Sequence, residues 1–501
     1  MDILGQLSVE LRTQALLISG LELLAWDQEV CMPPAGAASR AALHGTLAGM
    51  VHQRIIEKIL PLLREANTLS DIDDATRRDI RLLLEDAEIA EKIPSDLVRA
   101  FSEAASYAQR AWVDAKSRSD FESFRPHLEK LVKLSREKAA AIGYQNEPYE
   151  ALLHLFERSV TPTDIEQLFS ELRPFLMETI RLCQENPIGG VEYPPLYMSA
   201  AEQKALIQTV VKQLGYDLTR GRIDESVHPF CTGISPDDVR ITIRINEKDL
   251  TAALSAALHE MGHALYEQGL PREPLGWPIT HASSLSVHES QSRFWENHVG
   301  ASVEFWTYLY ENVLPHYTLS WLSAHTPFSL ARQVNKIQPG LIRIESDEVS
   351  YHLHILLRFE LERALINGDL TVRELPVAWN DKVAEYLNLA VPDDAHGVLQ
   401  DVHWSMGSFG YFPTYSLGSL LAAQLSEALT LSHPEWPARL SEGDASLPLH
   451  WMRTNIHAHG ARYRIQELCE RATGAPLSAK PFIRYIRRKV AQLYEGLALP
   501  A

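Results

Sequence analysis

The chain has 501 residues, 46% hydrophobic and 22% charged, the composition of a soluble globular protein. Its 47 Lys and Arg against 65 Asp and Glu leave a net charge of -18, which argues against a nucleic-acid partner because phosphate binding needs clustered basic surface. Cys31, Cys183, Cys231 and Cys469 are too scattered for a disulfide framework or a cysteine-rich metal site. No apolar run reaches the ~18 residues of a membrane span. Met1-Asp-Ile-Leu also lacks the basic start of a signal peptide, so the expected setting is a reducing cytoplasm.

Residues 1 to about 180 read as successive amphipathic helices. Leu7, Leu11, Ala15, Ile18 and Leu21 recur at helical spacing, and Trp26-Asp-Gln-Glu-Val-Cys-Met-Pro-Pro34 breaks the pattern. Thr161-Pro-Thr-Asp164 reads as a helix start, with Thr161 as cap and Pro162 as first helical residue. Prolines and glycines then punctuate the chain up to Asp249. Within that stretch Val239, Ile241, Ile243 and Ile245 alternate as one buried face of a strand, leaving Asp238, Arg240, Thr242 and Arg244 on the other. An edge strand there could pair with an extended peptide. From Asp249 on the pattern is helical again, apart from the glycine- and aromatic-rich Gly407–Tyr415. The expected architecture is one mainly α-helical domain over 1–501, with residues 1–185 as a helical lobe and 186–501 as a small sheet plus a helical catalytic lobe.

The chemistry is concentrated in His259-Glu-Met-Gly-His263. A helix capped by Asp249 and ending at Gly269 would carry both histidines on one face, a turn apart, so both imidazoles could reach one metal ion. Glu260 lies one step round, placed to hold a water that the metal polarises. A hydrolytic zinc site needs a third protein ligand. Glu289, in the first turn of the next helix, is a candidate, but Ser286-Val-His-Glu289 equally fits a capping box. His288 competes as ligand or as a partner orienting one.

Several motifs in order make the chain resemble the carboxypeptidase Taq family of metallocarboxypeptidases. They are Trp26-Asp-Gln28, His228-Pro-Phe230, Asp238-Val-Arg-Ile-Thr242, His259-Glu-Met-Gly-His263 and His288-Glu-Ser-Gln291, followed by Ile342-Arg-Ile-Glu-Ser-Asp347 and Gly397-Val-Leu-Gln-Asp-Val-His-Trp404. Ile456-His-Ala-His-Gly460 adds to them, while Ser346 stands where the family usually has alanine. The resemblance implies Zn2+, with Co2+ as a possible substitute, held by His259, His263 and Glu289, and Glu260 as general base. It further implies a helical saddle with a deep groove flanked by the N-terminal lobe, broad-specificity removal of C-terminal residues, and a homodimer. Arg343, Arg240 and Arg244 are the candidate anchors for the substrate carboxylate, through the bidentate pairing arginine allows, with Arg343 favoured because it lies in one of the shared motifs just before a helix. Arg240, Thr242, Tyr415 and His228 are expected to line the substrate. His403 and Tyr411, with Tyr415 as understudy, are expected at the oxyanion. His457 and His459 read as structural. The alternatives are an oligopeptidase or dipeptidyl carboxypeptidase on the same scaffold, or a helical binding protein without catalysis.

Overall fold

The computed structural model describes residues 2–187 and 195–499. Its secondary structure is mainly helical, with a three-stranded sheet. The chain forms two compact units, each assembled from three stretches: Met1–Glu91, Val191–Val334 and Leu421–Pro476 in the first, and Lys92–Gly190, Asn335–Leu420 and Leu477–Ala501 in the second. No helix among the described residues is long and apolar enough to cross a membrane.

In the first unit helix α1 (Ile3–Val30) starts at Asp2, whose carboxylate accepts from the Gly5 amide. Leu7 and Leu11 are buried with Ile59, Leu60, Leu63, Ile80 and Trp277. The helix does not break at Trp26 as the pattern suggested. It runs on to Val30 and stops before Pro33 and Pro34, which cannot continue it. Trp26 is buried under two guanidiniums, Arg222 at 5.0 Å and Arg240 at 4.3 Å from its ring centre, which ties α1 to the sheet.

The sheet has the order β1-β3-β2, with β1 Gly221–Glu225 parallel and β2 Cys231–Ser235 antiparallel to β3 Asp238–Ile243. The alternation holds for Val239, Ile241 and Ile243, which are buried, but the strand ends there and Ile245 lies beyond it, half-buried. The expected free edge does not: β3 is the central strand and both its edges are already paired, so it cannot take up a peptide strand. The outward edges belong to β1 and β2. Thr242 is also buried, because Ser226–Phe230 folds over it. Its hydroxyl pairs with Ser226 Oγ at 2.6 Å and accepts from the Phe230 amide at 3.0 Å.

Helix α2 (Leu250–Gly269) follows, started by Asp249 as expected, whose carboxylate accepts from the Thr251 amide. Leu250, Leu254, Ala257, Leu258, Met261 and Leu265 form its buried stripe. Gly269 is its last helical residue and its φ is not left-handed. The glycine is needed because a Cβ would lie 2.1 Å from His457 Nδ1. Helix α3 (Leu285–Arg293) comes next and continues as π-helical turns to Gly300.

In the second unit Pro162–Glu185 starts with a full capping box, Thr161 and Asp164 each bonding the other's backbone. Helix α4 (Ser350–Asn367) is buried along most of its length. Asp347 starts it by accepting from the Val349 and Ser350 amides, and Ser346 turns its hydroxyl back to the Ile342 carbonyl. Ser346 therefore fits without disturbing the helix start. The Gly407–Tyr415 stretch is only partly a loop, since a helix begins at Pro413 and Tyr415 lies in its first turn.

Candidate active site

The close crossing of α2 and α3 builds the centre of the first unit. At Gly262 a Cβ would sit 2.6 Å from both the Gln291 carbonyl oxygen and Ser292 Cα, so the two backbones meet where only glycine fits. The crossing carries Glu289 to the histidines. Glu289 Oε2 lies 3.6 Å from His259 Nε2 and 3.5 Å from His263 Nε2, and all three donor atoms fall within 4.8 Å of one another. Tetrahedral zinc with bonds of ~2.0–2.1 Å needs donors ~3.4 Å apart, so these atoms fit a zinc-sized ion. The capping-box alternative for Glu289 fails on geometry, because the cap is Ser284, whose hydroxyl accepts from the Val287 amide.

Each histidine presents Nε2 to this point and spends Nδ1 on a second partner, the arrangement that fixes the orientation of a metal-binding imidazole. His259 Nδ1 meets Glu296 Oε2 at 2.8 Å. His263 Nδ1 meets His288 Nδ1 at 2.5 Å, and His288 Nε2 meets Glu267 Oε1 at 2.8 Å. Both ring nitrogens of His288 are thus engaged, so it is an orienting partner rather than a ligand. Arg293 holds Glu289 Oε1 at 2.7 Å and Glu296 at 3.1 Å, and Ser292 Oγ donates to Glu289 Oε2 at 3.0 Å. Burial works against charge on His259, but Glu289 and Glu296 outweigh it and lift its pKa to about 9. Burial, then His288 and His259, hold His263 well below its ordinary value. Burial also opposes charge on Glu296, yet Arg293 and His259 bring it down to about 2. Sequence reasoning missed Glu296 and Glu267. The signals were present: Glu267 follows His263 by four residues, one turn along α2, and Glu296 follows Glu289 by seven, two turns along.

Glu260 is 8% exposed, and among the described residues no hydrogen bond engages its carboxylate. Burial pushes its pKa up to about 7, with Glu289 and Glu296 adding to the rise and His259 opposing it. A buried carboxyl with free lone pairs beside three converging donors can accept a proton from water at that point.

The other expected residues of this unit have hydrogen-bond partners of their own. Arg240 is tied to Asp238 by two 2.8 Å bonds. Thr242 is enclosed, as described. His228 is exposed, and its carbonyl accepts from Ser226. His457 is buried, with Nε2 against Gln291 Oε1 at 3.0 Å, consistent with a structural part.

In the second unit His403, Tyr411 and Tyr415 do come together. His403 Nε2 lies 3.2 Å from the Tyr415 hydroxyl, and the ring centres of Tyr411 lie 5.1 Å from His403 and 5.3 Å from Tyr415. His403 Nδ1 is buried with no hydrogen-bond partner among the described residues, and burial brings the imidazole down to about 4. Arg343 adjoins this cluster, its guanidinium 5.1 Å from the Tyr415 ring centre. It is 6% exposed; its Nε and one terminal nitrogen donate to Asp401 at 3.0 and 2.7 Å, and the other donates to Tyr351 at 3.2 Å. Arg358 grips the second Asp401 oxygen at 2.7 Å. Burial opposes the Asp401 charge, but Arg343 and Arg358 hold its pKa far below the carboxylate range. Two guanidiniums on one carboxylate leave this buried cluster with an excess of positive charge.

Comparison with known proteins agrees with this chemistry. Residues 6–490 match the family model described as carboxypeptidase Taq (M32) metallopeptidase. Thermostable carboxypeptidase 1 of Thermus thermophilus is 39% identical over 505 residues, 96% of this chain and 97% of the relative. Carboxypeptidase 1 of Bacillus subtilis is 35% identical over 480 residues, 94% and 95%. The crystal structure of an M32 carboxypeptidase from Deinococcus radiodurans superposes with a TM-score of 0.94 at 36% identity, covering 99% of this chain and 100% of that one. With two helices bringing imidazole, imidazole and carboxylate to one point, and with near full-length similarity to enzymes of that name, the chain belongs to the carboxypeptidase Taq (M32) family of metallopeptidases.

Proposed function

We propose that this protein is a zinc carboxypeptidase that removes single residues from the free C-termini of peptides, with broad tolerance for side chains. The observation that carries the reading is the convergence of His259 Nε2, His263 Nε2 and Glu289 Oε2, with the unpartnered Glu260 carboxylate next in the chain to His259. A divalent ion on those donors supplies Lewis acidity toward water and the scissile carbonyl, and imidazole and carboxylate donors accept Co2+ as well as Zn2+. Glu260 takes a proton from the attacking water and passes it to the leaving amine. Glu296, and His288 backed by Glu267, keep the two imidazoles turned to the ion and fix which ring nitrogen carries a proton.

His403 and Tyr411, with Tyr415 beside them, donate to the developing oxyanion. Arg343 attracts the substrate carboxylate, supported by the excess positive charge of the Arg343–Asp401–Arg358 cluster. Arg240 and His228 line the substrate, while Thr242 acts through the Ser226–Phe230 segment that it anchors. The chain works as a single peptidase domain, as a homodimer, in the cytoplasm. The deciding experiment is replacement of Glu260 by Gln: a variant that binds metal as the wild type does but no longer shortens peptides supports the reading, and one that still shortens them removes Glu260 from the reaction.

A further inference from the structure

Helix α4 carries two fully buried charged residues one turn apart, Arg358 and Glu362. At that spacing they could pair with each other, but their strong contacts go elsewhere. Arg358 reaches Asp401 at one end of the segment that bears His403 and Tyr411. Glu362 reaches two later points of that segment: its Oε2 accepts from Trp404 Nε1 at 3.2 Å, and its Oε1 accepts from the Gly410 amide at 3.1 Å as well as from the Tyr149 hydroxyl at 2.5 Å. Gly410 adopts φ +94°, and a Cβ there would lie 2.7 Å from the Leu153 amide nitrogen, so the loop is pressed on the Leu152–Leu153 backbone. Gly407, at φ +71°, is pressed on the Phe101 ring in the same way. The amide that Glu362 holds lies one residue before Tyr411.

We propose that Glu362 is a positioning residue for the reaction, setting the direction of Tyr411 by anchoring the Gly410 amide. This rests on the oxyanion role proposed above for Tyr411. The physical reason is specific. An extended loop closing on a helix has to satisfy its amides, and a buried amide with no acceptor is costly. Glu362 supplies that acceptor where the chain turns into the tyrosine. A group that stabilises an oxyanion has to sit within hydrogen-bond reach of it, and displacement of ~1 Å costs on the order of 100-fold in rate.

A positioning role and a purely structural one separate in the kinetics. Glu362→Leu fills similar space but offers no acceptor. It is expected to lower kcat by ~10–100-fold, with KM within about twofold and metal content unchanged, because Tyr411 is needed in the transition state more than in binding. Glu362→Gln keeps an oxygen for Gly410 and Tyr149, gives up only the Trp404 bond, and is expected to restore most of kcat. Tyr149→Phe removes one bond from the same carboxyl and leaves Gly410 held; it should lower the Tm and keep kcat within about threefold. Glu362→Leu at full kcat, Glu362→Gln as impaired as Glu362→Leu, or a kcat loss in Tyr149→Phe of ~10-fold or more would each overturn the proposal. If Glu362→Leu fails to fold, the Glu362→Gln and Tyr149→Phe outcomes still decide it. Tyr411→Phe separates the two readings. An impaired Tyr411→Phe beside a fully active Glu362→Leu overturns Glu362 alone, whereas a fully active Tyr411→Phe overturns the role of Tyr411 first and its dependence on Glu362 with it.

Discussion

Replacing Gly262 by Ala tests the metal centre without touching a ligand. Its new methyl would lie 2.6 Å from the Gln291 carbonyl oxygen and from Ser292 Cα, both backbone atoms that cannot rotate away. Ordinary contact begins at 3.4 Å, so α3 has to give by ~0.8 Å at the crossing. Glu289 sits one turn from that point, and its Oε2 is 3.5 to 3.6 Å from the two imidazole nitrogens. Metal–ligand distances tolerate about ±0.2 Å, so a shift of several tenths loosens the carboxylate even after its side chain adjusts. The expected loss of zinc affinity is ~10–100-fold, the range seen when the supports of a ligand are removed. Competition against a chromophoric chelator measures it directly, and circular dichroism checks that the helices persist. Affinity within about twofold of wild type in a folded Gly262→Ala protein would refute the claim that this crossing sets the ligand geometry.

Three further perturbations probe other parts of the molecule. Glu260→Gln should keep one equivalent of metal and lose ~100-fold or more in kcat, read by peptide hydrolysis beside metal analysis. Burial raises the Glu362 pKa from an ordinary 4.5 to about 8, so the folded state binds that proton more tightly than the unfolded chain does. Its contribution to stability is therefore full below about pH 4.5 and is lost as the pH rises toward about 8, at up to ~1.4 kcal/mol per pH unit. Denaturant titrations should show that slope, and Glu362→Gln, which copies the neutral acid, should flatten it. Arg343→Met should destabilise the protein by leaving Asp401 with Arg358 alone, and should raise KM more for peptides with a free C-terminus than for amidated ones. Equal effects on both would leave Arg343 a structural role only.

The parts of this molecule that were legible in the sequence are those set by local chemistry. Asp249 and Thr161 cap helices where the side chains allow it, and the spacing of His259 and His263 puts them on one face of a helix whatever surrounds it. What was illegible depends on distant partners. The alternation of β3 identified a strand but could not say that Gly221–Glu225 and Cys231–Ser235 occupy its two edges. Strand parity alone turns Thr242 outward, and only the fold of Ser226–Phe230 encloses it. Glu289 could not be told from a helix cap by spacing, and the choice of Ser284 as cap is what releases it. The buried charges Arg358 and Glu362 look like ordinary polar positions in the sequence, since nothing local marks a charge that finds its partner tens of residues away.

The most direct test of the central claim is a digest of mixed peptides by metal-reconstituted protein, followed over time by mass spectrometry. The expected result is a ladder of products shortened one residue at a time from the C-terminus, abolished by chelation and restored by Zn2+ or Co2+. Internal fragments, or shortening that persists without metal, would contradict it.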